Sequence, residues 1–164
     1  MEKIIKTLLG VWSLFLLCLL ILSRSYDLYV IVGSSMKPTI HSQNTVIAEQ
    51  DPDNFARRDI ILFQPPGTTR LYAKRIIGLA GDRIKVNHHR IYVNDHQTVS
   101  PTSRTKKYDS FPLRLVPQHH LFVMGDNPKQ SVDSRDFGPI SQNTVEGRIV
   151  GVLQPWSQFR IFNK

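Results

Sequence analysis

From Thr7 to Leu22 the chain is apolar apart from Thr7 and Ser13, and Ile4 and Ile5 extend the run upstream across Lys6. Counted from Ile4, it approaches the roughly 20 residues that carry a helix across a bilayer. Two readings compete. A cleavable secretory signal would use Lys3 and Lys6 as its basic end and Ser23-Arg24-Ser25 as small residues near a cut. A retained anchor would occupy residues 1–24, with the span itself at about 4–22. Charge leaves the orientation open, because Lys3 and Lys6 precede the run and Arg24 and Lys37 follow it.

After this run, helical periodicity stops and short β-rich runs take over. Leu28–Val32, Val46–Ala48, Ile60–Phe63, Leu71–Ile77, Ile84–Val86, Arg90–Val93, Leu121–Met124 and Gly147–Leu153 read as strands. Asn87-His88-His89 reads as a hairpin turn, and Gln64-Pro65-Pro66-Gly67 and Gly81-Asp82 as punctuation. The expected fold class is mainly β: an antiparallel-sheet catalytic domain over 25–164 behind one N-terminal transmembrane helix. Residues 96–117, with Pro101, Pro112, Pro117, Lys106 and Lys107, read as a loop-like surface excursion. At 164 residues, 41% hydrophobic and 21% charged, the chain suits one folded domain. Its net charge of +8 suits an anionic partner, either nucleic acid or an anionic lipid surface. The lone Cys18 excludes an intrachain disulfide and a cysteine zinc site.

Serine needs a base to become a nucleophile, which directs attention to Gly33-Ser34-Ser35-Met36-Lys37-Pro38-Thr39. In Leu71–Ile77, strand alternation puts Lys74 on one face with Tyr72 and Ile76, and Arg75 on the other, free to reach water. A lysine held against apolar neighbours loses solvation, its pKa falls, and its neutral amine can act as a general base. Against this stands an ordinary snorkelling lysine. Ser34 and Lys37 imitate the Ser-x-x-Lys motif of β-lactamases, but that motif needs a helix, which Pro38 opposes, and no Lys-Thr-Gly follows. Three aspartates in 124–139 lack the spacing of a calcium loop, and Lys129 and Arg135 oppose a cation cage. Asp133 and Arg135 read instead as a local ion pair fixing the loop. His41, His88, His89, His96, His119 and His120 fall in turns or loop ends, without a local triad signature. A nucleic-acid-binding β-barrel would explain the positive charge, but the basic residues are dispersed and the apolar run would be idle.

Ser35-Met36-Lys37-Pro38-Thr39, Lys74-Arg75-Ile76-Ile77-Gly78 with Gly81-Asp82, and Gly125-Asp126-Asn127 followed by Ser131, Asp133-Ser134-Arg135 and Phe137-Gly138 together resemble the boxes of type I signal peptidases. These are Ser-Lys membrane proteases that remove signal peptides from exported preproteins. The resemblance implies Ser35 as nucleophile, Lys74 as general base, Ser131 orienting the Lys74 amine, and Asp133 and Arg135 as structural support. It implies no cofactor and no metal. Expected partners are preproteins and an anionic lipid bilayer, with no nucleic acid. The expected location is a cell membrane, single-pass, with the catalytic domain on the extracytoplasmic side. Mitochondrial inner-membrane and conjugative-transfer peptidases would share these boxes. Two departures stand out. Arg58-Asp59 replaces a Gly-Asp pair, and Gly33 replaces a serine that in some members helps hold the oxyanion. The oxyanion hole then rests on backbone N–H groups near Gly33 and Ser35. Ser35 lies only about a dozen residues past the apolar run, which favours a retained anchor over a cut.

Overall fold

Ile60–Phe63 is apolar at every position, as a strand must be when both of its faces are covered. It forms β3, and its alternation divides the molecule. Ile60 and Leu62 enter one buried cluster with Met36, Ile40, Val46, Ala48, Ala73, Ile149 and Val152. Ile61 and Phe63 enter another with Ile76, Leu121, Val123 and Ile140.

The computed structural model describes residues 2–88, 90–98 and 109–162, with backbone alone for 18–23 and 158. Helix α1 (Glu2–Ser25) leads without a linker into β1 (Tyr26–Val30). There follow β2 (Thr45–Gln50), β3, β4 (Tyr72–Gly78), β5 (Arg83–Asn87), β6 (Arg90–Val93), β7 (His96–Thr98), β8 (Phe111–Leu115) and β9 (His120–Met124). A one-turn helix α2 (Ser134–Phe137) precedes β10 (Ile140–Ser141), β11 (Val145–Gln154) and β12 (Arg160–Ile161). The larger sheet runs β1-β2-β11-β3-β4-β9-β10, with β12 also on β11, and the smaller runs β7-β6-β5-β8. All pairings among the described residues are antiparallel. A third cluster joins the sheets: Ile84, Val86, Ile91 and Val93 meet Val116, Phe122 and Met124.

The mainly β, antiparallel expectation is therefore met. Both ends of the stretch expected to be loop are strands, β7 and β8, and its residues 99–108 lie outside the described ones. Pro112 is accommodated because β8 is an edge strand, where a missing N–H costs no ladder bond. Phe111 beside it stacks on Phe122 at 5.8 Å, which draws the strand onto the core. The hairpin joining β5 and β6 is present, with Asn87 opposite Arg90; His89 lies outside the described residues.

At 24 residues α1 is about 36 Å long. Among the described residues no helix is long and apolar enough to cross a membrane. The described large apolar side chains of α1, from Ile4 to Leu17, are each between 53% and 68% exposed.

Candidate active site

Ser35 sits in a turn between β1 and β2 that the core holds from below. Met36 and Ile40, on either side of Lys37-Pro38-Thr39, are buried in the first cluster. The Ile40 N–H donates to the Met36 carbonyl at 2.9 Å and the Lys37 N–H to the Ser34 carbonyl at 3.2 Å. Gly33 opens the turn at φ +109, a conformation that side chains rarely adopt. Met36 thus acts as the peg that lifts Ser35 toward β4.

On β4, Lys74 lies opposite Ile61 of β3, and its face carries Tyr72 and Ile76, as alternation requires. Its Nζ donates to Ser35 Oγ at 2.9 Å and to the Ala73 carbonyl at 3.2 Å. The Tyr72 ring centroid is 5.1 Å from the same nitrogen. Burial is the main influence on this amine and lowers its pKa to about 8. The Asp133 carboxylate opposes that shift, Arg135 adds to it, and Asp126 opposes it more weakly. A hydroxyl and an amine poised in this way can exchange a proton near neutral pH.

Arg75 corrects the sequence expectation. It is not free to reach water but 7% exposed, because the turn after β1 folds over its face. Its Nε and Nη2 grip the two oxygens of Asp126 at 2.8 and 2.6 Å, and Nη1 donates to the Arg58 carbonyl at 2.7 Å. The Thr39 hydroxyl also donates to Asp126. Asp126 therefore ties the serine turn to β4 directly, a role that sequence reasoning missed. The available signal was a second strand cation, whose charge needed a partner if that face was covered.

The loop after β9 completes the site. Asp133 is fully buried and accepts from the Gly125 N–H (2.9 Å), Ser131 Oγ (2.7 Å) and Arg135 Nε (2.8 Å). It also caps α2 in a reciprocal box with Asp136. The Asp133–Arg135 ion pair is thus present. Ser131 spends its hydroxyl hydrogen on Asp133, and among the described residues no hydrogen bond joins Ser131 to Lys74. Ser131 meets the serine turn, not Lys74, across Gly125. A Cβ on Gly125 would come within 2.2 Å of Ser131 Oγ and 2.7 Å of the Ser35 carbonyl, so only glycine lets the two close on it. The Asn127 N–H donates to the Ser35 carbonyl at 2.8 Å, and its side-chain amide to the Ser34 carbonyl at 3.1 Å. Ser34, absent from the site expectation, donates to Gln130 at 2.6 Å. Asn127 and Gln130 were missed because nothing local in the sequence points them at residues more than 90 positions away.

Among the described residues nothing accepts from the Ser35 N–H. Nor does any group of His, Cys, Asp and Glu there form a metal site. Asp126, Asp133 and Asp136 are each engaged by protein donors. A cleft of about 630 Å³ opens beside Ser35 and Lys74, walled by 29–35 on one side and 70–74 on the other. Pairing of β4 with β9 begins only at Arg75, so Tyr72–Lys74 present an unpaired edge to the cleft.

A serine hydroxyl in contact with a buried amine beside an unpaired strand edge has the parts that a serine hydrolase uses. Residues 4–154 match the family described as signal peptidase, peptidase S26, and the chain belongs to that family. It is 35% identical over 148 residues to signal peptidase I of Bacillus caldolyticus, covering 80% of this chain and 81% of that one. It is 32% identical over 163 residues to signal peptidase I S of Bacillus subtilis (strain 168), covering 90% and 87%. The crystal structure of a signal peptidase I from Enterococcus faecalis V583 superposes with a TM-score of 0.51 at 31% identity. That match covers 58% of this chain and 97% of that one.

Proposed function

We propose that this serine endopeptidase removes signal peptides from preproteins, with Ser35 as nucleophile and Lys74 as general base. The observation that carries the reading is the 2.9 Å contact between Lys74 Nζ and Ser35 Oγ, with the amine pushed down to about 8. Neutral Lys74 takes the Ser35 proton as Oγ attacks the carbonyl, and returns it to the departing amine. The ester left on Ser35 is then attacked by a water deprotonated by the same amine. The developing oxyanion meets the Ser35 N–H, with Gly33 shaping the turn around it. Ser131, Asp133 and Arg135 act through the loop, the first two across Gly125 and the third by holding Asp133. The substrate lies extended along the Tyr72–Lys74 edge, with small residues just before the cut.

The supporting placement is a single-pass anchor over residues 1–24, with the domain from 25 onward on the extracytoplasmic side of a cell membrane. The exposed apolar side chains of α1 and the absence of a linker before β1 favour it. Full-length protein in bilayers should convert a preprotein to one product whose N-terminal sequence begins after a small residue. Ser35→Ala should give none, and product from that variant would overturn the assignment.

A further inference from the structure

We propose that Arg70 sets a charge preference in the substrate, taking an acidic side chain about four residues upstream of the residue at the cut. The proposal rests on the peptidase reading of Ser35 and Lys74 and on α1 as an anchor, and deepens that reading by naming a substrate feature.

Topology gives the cleft a direction. The successive antiparallel pairings of β1 with β2, β2 with β11, β11 with β3 and β3 with β4 leave β1 and β4 running the same way. The cleft lies between stretches 29–35 and 70–74, so its two walls advance together. β1 follows α1 directly, which makes the Tyr29 and Arg70 end the one nearer the helix. Ser35 and Lys74 meet at the far end. At about 3.3 Å per residue of extended chain, Arg70 stands about 13 Å ahead of Lys74 along its wall. A signal peptide has its apolar stretch upstream of the cut. With α1 in the membrane, that stretch enters at the helix end and the substrate runs parallel to β4, passing Arg70 before it reaches Ser35.

The local turn holds Arg70 at this entrance. Its N–H donates to Thr68 Oγ1 at 3.1 Å, and Gln64 Nε2 donates to the Thr68 carbonyl at 2.9 Å. The guanidinium itself has no hydrogen bond or ion pair among the described residues. The cleft lining holds Arg70 and Lys74 but no Asp or Glu. Asp27, on the neighbouring strand, accepts from the Tyr29 hydroxyl at 3.4 Å. Lys74 is engaged by Ser35 and the Ala73 carbonyl. An entering carboxylate therefore finds a guanidinium able to meet it with two parallel N–H bonds. An entering lysine or arginine meets repulsion instead. Arg70 is not among the charges that shift the Lys74 amine, so its influence falls on binding rather than on the base.

The test uses full-length protein in neutral detergent and preproteins carrying Glu, Gln or Lys at successive positions on both sides of the cut. Upstream, near the fourth residue before the cut residue, Glu should exceed Lys in kcat/KM about fivefold, with the difference in KM. Arg70→Gln should erase this ratio and Arg70→Glu should reverse it, each enzyme being referred to its own rate on the Gln preprotein. A Glu-to-Lys ratio equal in all three enzymes would overturn the proposal. So would a preference found only downstream of the cut, which would reverse the direction of the chain. A charge effect present with anionic vesicles and absent in detergent would assign Arg70 to lipid headgroups and also overturn it. Cleavage of the Gln preprotein that survives Ser35→Ala would instead remove the peptidase reading itself, whatever the charges do.

Discussion

Lys74 and Arg75 are adjacent cations on β4, both almost fully buried, and the protein treats them in opposite ways. Arg75 meets a carboxylate in two-pronged geometry and stays charged. Lys74 meets a hydroxyl and a carbonyl at hydrogen-bond distance, while its nearest carboxylate influence, Asp133, is saturated by other donors. Its charge is left uncompensated and the amine gives up its proton near pH 8. One strand face thus makes a structural cross-tie and the other holds an amine that is easily deprotonated. The difference lies in the partner, not in the depth of burial.

Exchanging the cation tests this most severely. Lys74→Arg keeps the charge but cannot become neutral, so kcat/KM for a preprotein should fall about 10²–10⁴-fold, with the circular dichroism spectrum intact. Substantial remaining activity would mean that the base lies elsewhere. On the other face, Asp126→Ala leaves the Arg75 guanidinium buried and alone and cuts the Thr39 tie to the serine turn. A loss of about 3–5 kcal/mol in urea unfolding is expected. A loss well under 1 kcal/mol would show that water or another acceptor relieves Arg75.

The pH dependence separates the two cations. With Lys74 as the proposed base, the neutral amine would be the active form, so kcat/KM should rise with pH and level off above about 8. The linkage has the opposite sense from an ordinary ion pair. The folded pKa lies below the ordinary lysine value of 10.5, so the unfolded chain binds the extra proton and stability rises from about pH 8 to 10.5. At neutral pH the protonated lysine carries its full burial penalty. Lys74→Met should therefore abolish cleavage yet raise stability by up to about 3 kcal/mol, with the gain shrinking as pH rises. A variant no more stable than the parent at pH 7 would mean that the amine is better solvated than its burial implies.

These two residues also mark how far the sequence can be read. Alternation along Leu71–Ile77 was enough to place Lys74 with Tyr72 and Ile76, because strand geometry is local. The fate of Arg75 was not local. Its partner lies 51 positions away, and the cover over its face comes from the turn holding Met36 and Ile40. The all-apolar Ile60–Phe63 announced a central strand, whereas the short β7, β10 and β12 carry no hydrophobic alternation of their own and exist through pairing. In the candidate site, the ion pair of Asp133 and Arg135 was legible from two residues of separation. The route from Ser131 across Gly125 depends on a backbone approach that no residue pattern encodes.

The smallest effect concerns the carbonyl that completes the seat of Arg75. Arg58, which supplies it, stands at φ +83, a left-handed conformation that costs a side-chain-bearing residue about 1–2 kcal/mol. It is held there because its N–H donates to the Ile76 carbonyl while its own carbonyl accepts from Arg75. The exposed side chain contributes nothing to that seat. Arg58→Gly keeps both backbone bonds and relieves the conformation, but gives back about 0.5–1 kcal/mol of unfolded-chain entropy. The net gain in thermal unfolding should be below about 1 kcal/mol, with preprotein cleavage unchanged. A loss of stability would mean that the Arg58 side chain, and not only its backbone, supports the structural face of β4.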